Sequence, residues 1–213
     1  MDPQIIFMSL SLLILLFSVI VHEVMHGWVA LKFGDRTAEQ AGRLTLNPIP
    51  HIDYIGTLLL PAILFMTNSP ILFGWAKPVP VNPLNFSHLR RGELFVSAAG
   101  ILANLALAVI CAILFHILWN LHTQPLLARL FLFGANINLL LAVFNLLPLP
   151  PLDGSKILMS QLPYHLAREF QKLEPFGPFI LLALWFIPFG NSSLISFLLG
   201  NATNFLSTLL LLP

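Results

Sequence analysis

Long stretches of this 213-residue chain carry no charge at all, and no other property restricts its fold as much. Ile5 to Val21 is uncharged, and its helical pattern runs on to Phe33. At 1.5 Å rise per residue a helix of that length crosses a bilayer. No Lys or Arg precedes it and no small-x-small cleavage pattern follows, so it reads as a retained helix and not as a signal peptide. Leu94–Trp119, Leu126–Leu147 and Leu194–Leu212 are further spans, and Phe176–Phe189 is apolar but short. Hydrophobic residues make up 57% of the chain and charged residues 9%, against about 25% charged in a soluble domain. A soluble enzyme and a disordered chain are both excluded. The net charge of +1 provides no basic face for nucleic acid. The single cysteine, Cys111, excludes an internal disulfide framework.

The stretch Ile55–Ala76 is also uncharged, yet it contains Pro61, Asn68, Ser69 and Pro70, which break a helix or leave backbone groups unpaired. If it does not cross, residues 31–93 and 148–176 lie on one side with nine of the ten Lys and Arg, and only Arg129 lies on the other. That bias marks the first side as cytoplasmic. If it does cross, the split is six against four and orients nothing. The expectation is therefore an all-α polytopic membrane protein in the cell membrane. It has about five crossing helices and a re-entrant or β-edge segment around residues 42–83. The N-terminus is outside and the C-terminus cytoplasmic. Residues 1–213 form one integral-membrane domain, with a core over about 5–160 and accessory helices over about 176–213.

His22-Glu23-Val24-Met25-His26 is an HExxH motif on the first span. Histidines at i and i+4 leave one face of a helix a turn apart, close enough to share one zinc ion. Glu23, beside the first histidine, is then placed to act as general base. Ionisable groups inside a span cost about 2.5–3.5 kcal/mol each on insertion scales, and three cluster here. A polar patch that merely glues helices together is the plainer alternative. A catalytic zinc takes three protein ligands and one open position. Asp153, in Asn145-Leu-Leu-Pro-Leu-Pro-Pro-Leu-Asp153-Gly154, is the best candidate for the third. An Asp before Gly is equally a common turn residue. The re-entrant topology favours the ligand role, because it puts His22, His26 and Asp153 on the same side of the membrane.

HEVMHG at 22–27 and NLLPLPPLDG at 145–154 resemble the site-2 protease family of intramembrane zinc metalloproteases. GRLTLNPIPHIDYIG (42–56) and FGWAKPVPVNP (73–83) resemble a compact prokaryotic subgroup, and SAAGILAN (97–104) the start of a family helix. The resemblance covers roughly residues 18–160. It implies one Zn²⁺ per chain held by His22, His26 and Asp153, with Glu23 as base and Asn145 helping to position substrate. Many relatives have Pro where this chain has Ile101, and many carry a PDZ or CBS domain, for which this chain has no room. The implied substrate is a transmembrane helix of another protein, met within the lipid bilayer.

Other polar residues allow further roles. His51 and Asp53 precede the re-entrant stretch and could replace Asp153 as ligand or polarise the site. Asn82 could bond substrate backbone or simply make a turn. Residues 71–81, rich in proline and β-branched side chains, would form an edge strand, which suits strand addition by an extended peptide. Two other classes compete with a protease. A membrane zinc transporter or sensor would have no need of Glu23 beside a ligand and usually shows paired repeats. A pseudoprotease would bind membrane helices without cutting them.

Overall fold

The computed structural model describes residues 2–59, 63, 66, 67, 76–122, 124–190 and 192–213. Its elements follow the uncharged runs. Helix α1 spans Pro3–Lys32, with the Asp2 carboxylate accepting from Gln4 N–H at 2.9 Å and proline at the first helical position. A short α2, Thr37–Gln40, follows. Then come α3 (Leu89–Asn120), α4 (Pro125–Leu146), α5 (Asp153–Gln161), α6 (Tyr164–Gln171), α7 (Gly177–Phe186) and α8 (Leu194–Leu209). Strands β1 (Pro188–Phe189) and β2 (Ser192–Ser193) form a two-residue antiparallel pair.

Helices α1, α3 and α4 have 30, 32 and 22 residues and are long and apolar enough to cross a membrane. They make the central bundle, with α3 packed on both α4 and α1. Away from α5, the bundle closes on small side chains: Ala108 and Ala112 of α3 meet Ala128 and Ala135 of α4, with Phe115, Leu139 and Leu212 around them. Alanine lets helix backbones approach closely, the usual basis of helix association in lipid.

The two C-terminal helices are shorter than the three of the bundle. Helix α7 has ten residues, about 15 Å at helical rise and half of a hydrocarbon core. It is followed by the pairing of Pro188–Phe189 with Ser192–Ser193. Helix α8 has sixteen residues, about 24 Å. The two chain ends lie at one end of the bundle. Phe7 of α1 meets Phe133 of α4 with ring centroids 6.4 Å apart, and Arg129 lies 5.3 Å from the Phe7 ring. At the same end, His116 Nε2 donates to the Leu210 carbonyl at 2.9 Å, and Leu212 packs beside Ala128. Residues 177–213 contain no charged side chain, so charge counting has no purchase on them.

The expected segment over 42–83 is partly visible. Residues 60–62, 64, 65 and 68–75 fall outside the described residues, and with them most of the expected re-entrant stretch and the start of the expected edge strand. The rest of that strand, 76–81, pairs with no strand among the described residues. Pro78 and Pro80 lack the N–H that a ladder needs. The strip is tied instead to loops and to α1. Lys77 N–H donates to the His51 carbonyl at 2.9 Å, and Arg43 donates to the Lys77 carbonyl at 2.6 Å.

Candidate metal centre

His22 and His26 lie on the face of α1 that packs against α3, and Asp153 is the first residue of α5. Helix α5 starts where the prolines after Leu146 have stopped α4. A Cβ on Gly154 would stand 2.1 Å from the Leu146 carbonyl oxygen, so only glycine lets α5 begin this close to the end of α4. The result is a compact triangle: His22 Nε2 and His26 Nε2 are 3.0 Å apart, and each is 3.1 Å from Asp153 Oδ2. All three side chains are buried. Among the described residues, this is the group of His, Cys, Asp and Glu side chains that could hold a metal ion.

The outward nitrogens decide what the inward ones can do. His26 Nδ1 lies 2.7 Å from the Val96 carbonyl, and His22 Nδ1 lies 3.1 Å from Asn104 Oδ1. Both neighbours accept, so each Nδ1 carries the proton and each Nε2 presents a lone pair. Asp153 Oδ2 is buried without a hydrogen-bond donor. Three lone-pair donors thus face one another, an arrangement that repels itself without a cation. Ligands about 2.0–2.1 Å from a tetrahedral ion stand about 3.3 Å apart, close to the spacing here. Two imidazoles, one carboxylate and an open fourth side make a donor set suited to catalytic zinc. Gly100 of α3 leaves room for it: a Cβ there would lie 2.6 Å from His22 Cε1 and from His26 Cε1 and Nε2.

Glu23 points off a different side of α1. Its Oε2 accepts from Val79 N–H at 2.8 Å. No other hydrogen bond of its carboxylate is formed among the described residues. Glu23 and the three donors border one cavity of about 770 Å³, whose walls include Val79, Val96, Asn145 and Met159. Arg90, Glu93, Lys156, Arg168 and Glu174 contribute charge to its lining. Lys156 Nζ stands 3.8 Å from Asp153 Oδ1, the carboxylate oxygen turned away from the histidines.

The chain is 39% identical over 184 residues to the Bacillus subtilis protein named "Putative zinc metalloprotease YwhC", an alignment covering 83% of this chain and 80% of that protein. The profile of Peptidase family M50 matches residues 120–186. The chain belongs to peptidase family M50, the site-2 protease family. Two proteins named "Putative zinc metalloprotease Rip2" are also similar. The one from Mycolicibacterium smegmatis is 30% identical and the one from Mycobacterium tuberculosis H37Rv 32% identical, each over 173 residues, 81% of this chain and 65% of the relative. No solved structure matches the chain. The M50 profile match contains Asn145 and Asp153 but not the HExxH motif.

Not every residue singled out in the sequence joins the M50 site. Asn145 borders the cavity, and its Nδ2 donates to the Leu141 carbonyl of its own helix at 3.0 Å. His51 is a strut: Nε2 donates to the Thr45 carbonyl at 2.9 Å, and Nδ1 faces Arg43 at 3.5 Å. With both ring nitrogens engaged, it has none to offer in place of Asp153. Asp53 Oδ1 accepts from Ile55 and Gly56 N–H and so caps the turn at Tyr54–Leu59. Asn82 Oδ1 caps the short helix Pro83–Asn85 through Leu84 N–H at 3.1 Å.

Three residues escape a reading of the sequence. Asn104 lies inside the quoted SAAGILAN block, and an amide within an uncharged span was the available signal. Val79 contributes only a backbone N–H, which no side-chain pattern reveals. Asp35, fully buried just past α1, accepts from Asn82 N–H at 2.7 Å and from Asn85 Nδ2 at 2.8 Å, as well as from Thr37. Burial pushes its carboxyl up, and the bonds from Thr37, Asn85 and Asn82 outweigh this and hold it below its ordinary value. It ties the end of the 76–82 strip to α1.

Proposed function

We propose that this M50 protein is an intramembrane zinc metalloprotease that hydrolyses peptide bonds within or near the transmembrane segments of other membrane proteins. The observation that carries the reading is the triangle of His22, His26 and Asp153 at 3.0–3.1 Å, with the Glu23 carboxylate on the same cavity. His22, His26 and Asp153 would hold one zinc, which when bound lowers the pKa of water to about 7 and polarises a carbonyl. Glu23, steadied at Oε2 by Val79 N–H, takes the proton of the attacking water at Oε1. It then passes that proton to the amide nitrogen as the C–N bond breaks. Asn145, on the cavity wall, is placed to hold substrate backbone.

A substrate helix has its carbonyls paired internally and must unwind before attack. The 76–82 strip supports an extended peptide in a restricted way. The N–H groups of Lys77, Val79 and Asn82 already donate inward, and Pro78 and Pro80 have none. What remains for a substrate is chiefly carbonyl acceptors, so the peptide must supply the donors.

A proteolysis assay in detergent, with a membrane-helix substrate, tests the reading. Wild type with zinc should cut, and Glu23→Gln should keep zinc while turnover falls by about 10²–10⁴. Cleavage by the Gln variant at the wild-type rate would remove Glu23 from the mechanism. Zinc flux without cleavage by wild type would favour the transporter.

The orientation in the cell membrane follows from charge. Nine of ten Lys and Arg lie in 31–93 and 148–176, the segments around the site, which puts the site at the cytoplasmic face. Both chain ends then lie outside. In a Cys111→Ser background, Leu211→Cys should react with a membrane-impermeant thiol reagent on intact cells. Lys172→Cys should react only after permeabilisation. The reverse pattern would invert the molecule.

A further inference from the structure

Two asparagines are buried inside the bundle and face α1 one turn apart, and they are used differently. Asn138 of α4 donates through Nδ2 to Ser18 Oγ and to the Gly134 carbonyl, both at 2.8 Å. Those bonds tie α4 to α1. Asn104 of α3 is fully buried, and its amide nitrogen has no hydrogen-bond partner. Its contact is the one from Oδ1 to His22 Nδ1 at 3.1 Å. An unpaired amide donor inside a bundle works against folding. An asparagine kept only as glue between helices would use its donors, as Asn138 does.

We infer that Asn104 is a positioning residue for the metal site, holding His22 in the tautomer that leaves Nε2 free, and that it is kept for this task and not for helix packing. The inference rests on the zinc reading above. Its physical basis is a competition between two tautomers. With Asn104 Oδ1 accepting from Nδ1–H, the Nε2 lone pair faces Asp153 Oδ2. Without that acceptor, the imidazole proton moves to Nε2, where Asp153 Oδ2 waits at 3.1 Å to receive it. That internal hydrogen bond occupies two of the three donors a metal needs. The ring nitrogen that binds metal is in general set by what the other nitrogen bonds, and loss of such a partner weakens metal binding about 10–100-fold. His26 is held differently, by the Val96 backbone carbonyl at 2.7 Å, which substitution does not remove. Asn104 is therefore the side chain through which the tautomer can be changed.

The experiment uses the full chain in detergent, stripped of metal and titrated with zinc against a chromophoric chelator, with thermal unfolding of the metal-free protein measured alongside. Asn104→Leu keeps the volume and removes the acceptor. It should bind zinc about 10–100-fold more weakly, while its metal-free form unfolds at or above the wild-type temperature. Asn104→Asp keeps an acceptor for Nδ1–H and should bind zinc within a few-fold of wild type. Zinc binding by Asn104→Leu equal to wild type overturns the inference alone. So does an Asn104→Leu protein that fails to fold or melts below wild type, because Asn104 would then serve packing. Wild type that takes up no zinc overturns the zinc reading, and this inference with it.

Discussion

At the end of the bundle that holds the chain termini, α3 and α4 meet through Ala108, Ala112, Ala128 and Ala135. The polar contacts there are few, with His116 on the Leu210 carbonyl and Arg129 over Phe7. At the other end, α1, α3 and α5 meet through His22, His26, Asp153 and Asn104, and loops are pinned by Asp35, Arg43 and His51. The first end gains from close backbone approach and van der Waals contact, which tolerate small shifts because no single atom pair matters. The second is a chain of directional bonds, each fixing a neighbour's position, where a half-satisfied group is costly. Association and site construction are thus separated along one bundle.

The sharpest way to break this separation is at Gly100. Gly100→Ala puts a Cβ 2.6 Å from ring atoms of both histidines. The rings must turn away from Asp153, and zinc affinity should fall on the order of 10²-fold, at the upper end of losses from misplaced ligands. Ala112→Val, an enlargement of the same helix at the apolar end, should leave zinc affinity unchanged and lower the melting temperature through overpacking. Equal zinc loss in both variants, read by chelator competition, would mean that the two ends are not independent.

What could be read from the sequence follows the same division. The HExxH spacing is local geometry: four residues on a helix put His22 and His26 on one face whatever the rest of the chain does. The three long helices follow from runs without charge, which lipid requires and water disfavours. Asp153 needed topology as well, since 127 positions separate it from His26, and the positive-inside count supplied the side. Charge says nothing about how α7 and α8 are oriented, because residues 177–213 carry none. Asn104 and Asp35 were missed for a related reason. Each looks unremarkable locally and acquires its role from a partner 82 or 47 positions away. His51 and Asp53 could by residue type be ligands or polar supports, and in the fold His51 Nε2 donates to the Thr45 carbonyl while Asp53 Oδ1 accepts from Ile55 and Gly56 N–H.

Asp35 offers a finer test, because it is a directional anchor outside the metal triangle. Asp35→Ala leaves Asn82 N–H and Asn85 Nδ2 without their acceptor, and hydrogen bonds to a charged group make this a loss of about 2–3 kcal/mol. His116→Leu, which removes a single bond at the apolar end, should cost only about 0.6 kcal/mol, the average for such bonds within membrane bundles. The pH dependence carries a sign. The Asp35 carboxyl is held below its ordinary value in the folded protein, so the unfolded chain binds its proton first as pH falls. The stabilisation is present in full above the unfolded value of about 3.9 and is lost as pH falls through the folded one. Melting curves in detergent should therefore show a wild-type advantage over Asp35→Ala that is constant above about pH 5 and narrows below about pH 4. An Asp35→Ala effect no larger than that of His116→Leu, or one that does not narrow in acid, would show that the strip is held by Arg43, His51 and Glu23 without help from Asp35.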